Sequence, residues 1–298
     1  MGVTEEMTFS PYCRNGWKGW ILDGWQQLSE LADLDAWLLE PQQTIVLETI
    51  CRTVSRRETA LGAVYVKLMR GRNDGAVRNR EVVSWLKWTL LPSRGAHILK
   101  VTAAMAARGH HCPIPVLGAR CRGRWGYPRE LYVSREVTQP TLEECLVSAA
   151  GKGEQRELLA FTAERLARFH LDHFVHGDFL PRNACVDTQA GHLYFLDNDR
   201  THHWPFRPPF QRQRRNLAQF CYNLMLLDGS GQSPLPADFL QAYAEARPDW
   251  SLSRRQAEIA RVQAQCDRRW KKHGDFELAK RKKLLSQAAS KADKDDAN

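Results

Sequence analysis

The sequence lacks three features that would place the chain in a membrane or in an oxidising compartment. None of its apolar runs reaches the length of a membrane-spanning helix. Its eight cysteines are scattered and form no C-x-x-C pair, which argues against a disulfide framework or a thiol redox motif. The first six residues include two glutamates, where a secretory signal would carry basic residues. A cytosolic protein with reduced thiols is therefore expected.

Length and composition are ordinary for a globular protein. The chain has 298 residues, of which 43% are hydrophobic and 26% are charged. A chain of this length is long for a single hydrophobic core, so a division into two lobes is expected.

The sharpest motif is the loop His176-Gly177-Asp178-Phe179-Leu180-Pro181-Arg182-Asn183, which is followed fourteen residues later by Asp197. An H-x-D-x-x-x-x-N loop with a second aspartate one hairpin downstream is typical of kinase-type phosphoryl transfer. In that chemistry one carboxylate accepts a hydroxyl proton, while an amide and another carboxylate hold magnesium on the nucleotide phosphates. The pattern therefore predicts Asp178 as the base, with Asn183 and Asp197 as magnesium ligands.

The segments around this loop support the same interpretation. Residues 154–173 are predicted to form a helix, because apolar residues recur there at steps of four, three and three. They are Leu159, Ala163, Leu166 and Phe169. Two short strands are predicted at 184–186 and 192–196, with a turn between them. The alternative is an ordinary helix–loop–strand with a buried histidine and a turn aspartate, but the agreement of this context favours a catalytic loop.

A second chemical feature lies upstream, where Ala63-Val64-Tyr65-Val66-Lys67 places a lysine at the end of an apolar strand. In kinases, a lysine in such a place binds the α- and β-phosphates of the nucleotide. Taken alone, a charged residue that protects an edge strand would be the simpler interpretation. The downstream loop favours the phosphate-binding role for Lys67.

Predicted strands dominate the first half of the chain and predicted helices the second. The strands cover 44–50, 53–57, 61–69, 116–120 and 130–136, and the first helices cover 81–90 and 96–108, the latter closed by Gly109. This order predicts an α+β, two-lobed protein-kinase-like fold with a small β-rich N-lobe and a larger helical C-lobe. The expected divisions are an aromatic-rich N-terminal extension at 1–39, a nucleotide-binding N-lobe at 40–136, and a helical C-lobe at 137–298 that holds the catalytic loop and a basic C-terminal segment.

Several further segments accompany the loop in order. They are Thr53-Val54-Ser55-Arg56-Arg57, Val64-Tyr65-Val66-Lys67, Ala107-Arg108-Gly109 with Pro113-Ile114-Pro115, Tyr132-Val133-Ser134-Arg135-Glu136, and Phe195-Leu196-Asp197-Asn198-Asp199-Arg200. Together with the loop they resemble the lipopolysaccharide core kinase (Kdo/WaaP) family across residues 45–225. The loop and the Asp197 segment are specific, whereas the upstream matches are loose.

This resemblance implies ATP with magnesium as cofactors, and a sugar hydroxyl of the lipopolysaccharide inner core, on heptose or Kdo, as the acceptor. It places the base at Asp178 and the magnesium ligands at Asn183 and Asp197. It also implies that Lys67 binds phosphate and that Glu136 lies in the nucleotide-binding hinge between the lobes.

The sequence departs from the family's pattern at the partner of Lys67. The family carries a glutamate early in the helix that precedes the Gly109 turn, whereas residues 94–100 contain no acid here. Glu81 is the candidate substitute. Without a carboxylate to aim Lys67, activity would be in question. No glycine-rich loop precedes Lys67 either, and the family tends to lack that loop as well.

Other residues in and near the loop are expected to assist phosphate binding, metal binding or loop structure. Asn216 stands where relatives tend to have aspartate. Leu180 occupies the place of a phosphate-contacting lysine in protein kinases, and Arg182 is the candidate to supply that charge. Asp199 either assists the metal or orders its loop, and His176 is a further assisting residue.

Charge indicates an anionic acceptor. The net charge is +9, and residues 251–286 contain eleven Lys/Arg against four Asp/Glu, a local charge of +7. Between His202 and Cys221 there is no Ser, Thr or Tyr, so this stretch is not a phosphorylation switch. It carries basic residues that we expect to flank the acceptor, with a merely solvated surface as the alternative. They are Arg207, Arg212, Arg214 and Arg215.

The sequence thus predicts a phosphotransferase with an alcohol group as acceptor, acting on an anionic glycolipid peripherally at the cytoplasmic face of the inner membrane. Nucleic acid is not expected, because no nucleic-acid-binding motif accompanies the charge. Two alternatives stay open. One is another small-molecule kinase of the aminoglycoside type, which also uses His-Gly-Asp with Asn five residues after the Asp. The other is a non-catalytic pseudokinase in envelope assembly.

Overall fold

The computed structural model describes residues 7–41, 43–70, 90, 93–122, 128–206 and 210–295, with the side chains of the last helix described as far as residue 283. The chain divides into two compact units. Unit 1 comprises Met1–Gln139 and Tyr194–Thr201, and unit 2 comprises Pro140–Leu193 and His202–Asn298.

Unit 1 is built on a seven-stranded sheet in the order β1-β2-β6-β7-β5-β4-β3, in which every neighbouring pair is antiparallel. Its strands are β1 (Phe9–Arg14), β2 (Trp17–Leu22), β3 (Thr44–Thr49), β4 (Arg52–Arg57), β5 (Val64–Met69), β6 (Pro115–Arg122) and β7 (Pro128–Arg135). The helices in its described residues include α1 (Leu34–Leu39) and α2 (Arg94–Ala106). The predicted strands of this half are confirmed to within a few residues, and the predicted helix at 81–90 lies, apart from residue 90, outside the described residues.

The described N-terminal residues, from Met7 onward, belong to the sheet and its core. Strands β1 and β2 extend the sheet at one edge, where β2 pairs with β6. The indole rings of Trp17, Trp25 and Trp37 are buried in the same hydrophobic cluster as the alternating apolar residues of β5 and β7. Burying a large apolar side chain contributes about 1.5–3 kcal/mol, so these aromatic residues stabilise unit 1 directly. The sequence analysis had set residues 1–39 apart from the N-lobe, whereas the described part of that range belongs to the same sheet and hydrophobic core.

Helix α2 packs backbone to backbone against the sheet. It begins at an N-cap serine, Ser93, and the buried carboxylate of Glu130 accepts hydrogen bonds from the amides of Arg94 and Gly95. A Cβ atom on Gly118 of β6 would lie 2.6 Å from the carbonyl oxygen of Gly95. Only glycine therefore permits this contact. The helix ends, as predicted, in a turn where Gly109 adopts φ +75°.

Unit 2 is mainly helical. Its helices are α3 (Leu142–Ser148), α4 (Lys152–Leu171), α5 (Phe210–Asp228), α6 (Leu235–Glu245) and α7 (Leu252–Asp295). Short strands β8 (Phe174–His176) and β11 (Thr201–His203) pair with each other, as do β9 (Ala184–Asp187) and β10 (His192–Phe195). The boundary between the units runs through β10, because the chain enters unit 1 at Tyr194.

The helix predicted at 154–173 is confirmed as α4, and its four predicted core residues are all fully buried. The α+β class with a strand-rich first part and a helical second part is likewise confirmed. No helix in the described parts of the chain combines the length and the apolar character needed to cross a bilayer.

Candidate active site

The strand lysine lies in the interior of the unit 1 sheet. Lys67 is in β5, which pairs with β4 on one side and β7 on the other, so the edge-strand alternative for this lysine is wrong. Its side chain is largely buried, and its Nζ lies 2.5 Å from Oδ1 of Asp197 and 3.0 Å from Oδ2 of Asp199. A buried ammonium needs paired charge and hydrogen bonds, and these two carboxylates supply both.

A left-handed turn presents these two aspartates. The chain leaves β10 at Phe195, and Asp197 then adopts φ 54° and ψ 53° before a short 3₁₀ turn, Asn198–Arg200. The Asn198 side chain fixes this turn, because its Nδ2 donates to the Phe195 carbonyl and its Oδ1 accepts from the Thr201 hydroxyl. A non-glycine residue in this conformation costs about 1 kcal/mol, which the surrounding bonds must offset.

The predicted catalytic loop lies in unit 2 and is folded back on itself. The ring of His176 is fully buried, and its Nδ1 accepts a hydrogen bond of 3.2 Å from the Asp178 amide. The neighbouring Phe179 ring is buried against Phe220 of α5 at a centroid distance of 4.9 Å. The loop is therefore anchored on both sides of Asp178, whose side chain stays partly exposed.

The Asp178 carboxylate has a partner that the sequence analysis missed. Its Oδ1 accepts a hydrogen bond from Nε2 of Gln219, which projects from α5. Gln219 lies three residues after Asn216, on the same face of that helix, and this spacing is the one sequence signal that could have identified it. A neutral donor at this point orients the carboxylate without neutralising its charge.

Asn183 and Asp197 have the chemistry that magnesium prefers. The Nδ2 of Asn183 donates to the Asp178 carbonyl at 2.8 Å, and its amide oxygen is chemically an acceptor. The Asp197 carboxylate is partly exposed. Hard oxygen atoms are the usual ligands of Mg²⁺, which binds through one or two carboxylates together with substrate phosphates. The described residues contain no group of three or more His, Cys, Asp or Glu side chains that could enclose a metal on their own.

A buried polar network accounts for asparagine at position 216. Its Nδ2 donates to the His176 carbonyl at 2.7 Å, and its Oδ1 is 3.1 Å from Nε2 of His170. An amide can donate and accept in this way, whereas a carboxylate accepts only. Asn216 thus connects α4 and α5 to the start of the predicted catalytic loop.

Further residues of unit 2 complete this network. The Tyr243 hydroxyl is 2.6 Å from Nδ1 of His170 and accepts a bond of 2.7 Å from the buried Arg247 guanidinium. The hydroxyl is therefore left to donate to the imidazole, and the Nε2 of His170 donates to Asn216. Burial, as the main cause, lowers the pKa of His170 to about 3 and keeps the ring neutral.

Glu136 directly follows β7, and its carboxylate is bound by an arginine. The Nε and Nη2 of Arg56 donate to its two oxygens at 2.7 and 2.8 Å. These bonds hold the pKa of Glu136 below its ordinary value. The Glu136 amide donates to the Ala63 carbonyl, so the side chain and backbone together join this segment to β4 and to the start of β5. A nucleotide contact by Glu136 stays a prediction.

The predicted acceptor-binding arginines have different environments. Arg212 and Arg215 are exposed on α5, and Arg182 is exposed in the loop. Arg214 differs, because its Nε and Nη2 donate to the two oxygens of the buried Glu258 of α7, both at 3.0 Å. Its guanidinium is therefore committed to joining two helices. Arg207 and Glu81 lie outside the described residues.

The carboxylate of Glu258 shows the strength of that connection. Burial alone would raise its pKa, but the hydrogen bonds from Arg214 and Arg261 outweigh this effect and leave the pKa below its ordinary value. Removing Arg214 would leave a buried charge with one exposed partner, so Arg214 has a clear structural role.

These features define a protein-kinase-like fold: an antiparallel sheet that carries a buried lysine, and a helical unit that carries the H-x-D-x-x-x-x-N loop. Among solved structures, the chain is similar to WaaP in complex with acyl carrier protein, with a TM-score of 0.50 and 15% sequence identity over 76% of this chain and 88% of that one. At this identity the similarity shows the fold alone. No protein-family model matches the chain, and no curated protein matches it either.

Proposed function

We propose that this chain is an ATP-dependent kinase that phosphorylates a sugar hydroxyl, on heptose or Kdo, of the lipopolysaccharide inner core. The observation that carries the proposal is the contact between Lys67 and Asp197. The two residues are 130 positions apart, and each was assigned to nucleotide phosphates from separate features of the sequence. Their contact supports the proposal, because it brings the proposed phosphate-binding lysine and the proposed metal-binding aspartate to the same place.

Asp178 is the proposed base. A carboxylate that accepts a hydroxyl proton must be positioned before it can act, and the hydrogen bond from Gln219 supplies that positioning. The backbone of the loop is held by His176 and Asn183, so the direction of the Asp178 side chain is restricted from both ends.

Lys67, Asn183 and Asp197 are the proposed ligands of a magnesium nucleotide. The bound nucleotide would supply the phosphoryl group, and magnesium would neutralise its charge. Lys67 would bind the α- and β-phosphates, while the amide oxygen of Asn183 and the carboxylate of Asp197 would hold the metal. Asp199 would then keep Lys67 in place, in the role that the family gives to a helix glutamate.

The acceptor class rests on charge and on the family that the sequence resembles. Arg212 and Arg215 are exposed on α5, the helix that also carries Gln219, and α7 carries many exposed basic residues. Such surfaces attract phosphate- and carboxylate-bearing glycolipids and the anionic membrane around them. We therefore propose peripheral action at the inner membrane. Since WaaP was solved with acyl carrier protein, that protein is a partner to test here as well, by coexpression and size-exclusion chromatography.

Mass spectrometry of lipopolysaccharide tests the proposal. Cells that lack this chain should produce an inner core with one phosphate fewer, and the phosphate should return with the wild-type chain and not with Asp178→Asn. Purified protein should also turn over ATP with inner-core acceptors in preference to aminoglycosides. A preference for aminoglycosides would support the small-molecule kinase, and magnesium-ATP binding without any turnover would support the pseudokinase.

A further inference from the structure

Arg52 and Lys67 project from the same face of the unit 1 sheet. Arg52 is the first residue of β4, directly after the β3–β4 turn, and it pairs with Met69 of β5. Val54, two residues further along β4, pairs with Lys67. Directly paired residues share a face of the sheet, as do residues two apart along a strand. The two cations are therefore diagonal neighbours on adjacent strands.

Both cations approach one carboxylate from different sides. The Nη1 of Arg52 is 4.0 Å from Oδ2 of Asp197, while the Nζ of Lys67 is 2.5 Å from Oδ1. At 4.0 Å the arginine makes an ion pair and no hydrogen bond. Within the described parts of the chain, the Arg52 guanidinium donates no hydrogen bond at all, and a third of its side chain is exposed.

This arrangement is a weak structural contact and a strong candidate ligand site. An ion pair at such distance and exposure contributes little to stability, so the fold does not depend on it. A guanidinium has five donors in a planar fork, which matches two oxygens of a phosphate. The fork of Arg52 lies beside the lysine and the aspartate already assigned to nucleotide phosphates.

The preceding turn explains why a second cation would be needed. In protein kinases a glycine-rich loop covers the nucleotide phosphates. Here the β3–β4 hairpin reads Glu48-Thr49-Ile50-Cys51, without a glycine, and the Ile50 side chain is 85% exposed. The positive charge at this hairpin comes instead from the side chain of Arg52.

We propose that Arg52 is a second phosphate-binding residue, which grips the polyphosphate of a nucleoside di- or triphosphate together with Lys67. This inference rests on the proposed kinase function. It assigns to one side chain the contact that a glycine-rich loop makes with its backbone.

Calorimetric titration of the full chain with ATP, ADP and adenosine tests this role. Arg52→Met should weaken ATP and ADP binding about 10–100-fold, since a charge-assisted hydrogen bond is lost, and should leave adenosine binding unchanged. Arg52→Lys should fall between the parent and Arg52→Met, because a lysine keeps the charge and loses the fork. The matched control is Arg14→Met, an equal change at an exposed position of β1, which forms the other edge of the sheet.

Titration without magnesium separates a direct phosphate contact from an effect through Asp197. A direct contact predicts that Arg52→Met still weakens ATP binding when EDTA is present. A loss that appears only with magnesium, or that affects adenosine equally, would overturn the proposal. If Arg52→Met binds ATP as tightly as the parent, the phosphate-binding role of Arg52 is wrong, but the proposed kinase function is unaffected. If the parent chain binds no nucleotide, both the role of Arg52 and the kinase function are wrong.

Discussion

Asp199 holds Lys67 beside Asp197: its Oδ2 lies 3.0 Å from the Lys67 Nζ. In the family that the sequence resembles, a helix glutamate is expected to do this, and residues 94–100 of α2 offer no acid. The carboxylate comes instead from the turn that also carries Asp197. The absence of a helix glutamate is therefore a weaker argument for a pseudokinase than the sequence alone suggested.

Replacing Asp199 should show whether orienting Lys67 and binding magnesium are separate functions of the two aspartates. Asp199→Asn keeps the shape and removes the charge, so we expect turnover to fall about 10–100-fold with a small effect on magnesium-ATP affinity. Asp197→Ala should weaken magnesium-ATP binding itself and abolish transfer. Steady-state kinetics and calorimetric titration measure the two effects. Asp187→Asn, an equal change in β9, is the control. Normal turnover of Asp199→Asn would show that another group orients the lysine.

The contact between Gln219 and Asp178 predicts a graded series. Asp178→Asn should lower kcat about 10²–10⁴-fold and leave nucleotide affinity nearly unchanged. Gln219→Leu should lower kcat about tenfold, because the carboxylate keeps its charge and loses its orienting donor. Gln219→Glu should lower kcat further, because two carboxylates would then face each other. Gln241→Leu, exposed on α6, is the control, and an unaltered kcat for Gln219→Leu would remove the positioning role.

His170 predicts a pH dependence of stability. Its pKa is about 3 in the folded chain against an ordinary value of 6.5. Below pH 6.5 this histidine gains a proton in the unfolded chain and stays neutral in the folded chain. Its contribution to the free energy of unfolding should therefore be fully present above pH 6.5 and should decrease as the pH falls towards 3. The slope from this residue is about 1.4 kcal/mol per pH unit. Urea unfolding of the parent and of His170→Gln between pH 7 and pH 4 measures it, and equal slopes would contradict the assignment.

The two exposed arginines of α5 predict an effect on the acceptor alone. Arg212→Gln with Arg215→Gln should raise the KM for the acceptor about tenfold and leave ATP binding intact. Added salt should mimic this loss, because exposed charges are screened over about 8 Å at physiological ionic strength. The control removes two exposed arginines of α4, Arg156 and Arg168. Kinetics that respond neither to the double variant nor to salt would contradict an anionic acceptor at this surface.

Arg214→Gln provides a contrast within the same segment. Since its guanidinium binds the buried Glu258, we expect a lower unfolding temperature and no specific change in the acceptor KM. A thermal melt measures the loss of stability, and the kinetic assay measures the acceptor KM. A raised acceptor KM without a lower unfolding temperature would contradict the structural role of Arg214.

Local patterns in the sequence predicted which segments carry the site residues. They did not predict which side chains in the site bind each other. Helical spacing located α4, and the strand pattern located Lys67. Both patterns are visible in the sequence because burial of one face of an element makes apolar residues recur with the period of that element. The partners of Lys67 are 130 and 132 residues away, and no local period encodes such pairs. Gln219 was missed for the same reason, since its significance depends on where Asp178 lies. Arg214 was grouped with its neighbours because a charge run does not show which members are paired.

The N-terminal tryptophans show a different limit. The sequence analysis described residues 1–39 as an aromatic-rich N-terminal extension, and Trp17 and Trp37 are among its aromatic residues. Their burial depends on β2 pairing with β6, a strand about 100 residues later, and topology of this kind follows from packing.

The glycine contact between α2 and β6 bears on how such an enzyme would be controlled. Protein kinases commonly switch by moving the helix that carries the lysine's glutamate. Here Gly95 and Gly118 touch through their backbones, so a tilt of α2 would meet main-chain atoms with no side chain to yield. The carboxylates that bind Lys67 also come from the turn after β10, so displacing α2 would not remove them. We expect a catalyst without an internal off state, whose output follows its abundance and the supply of acceptor.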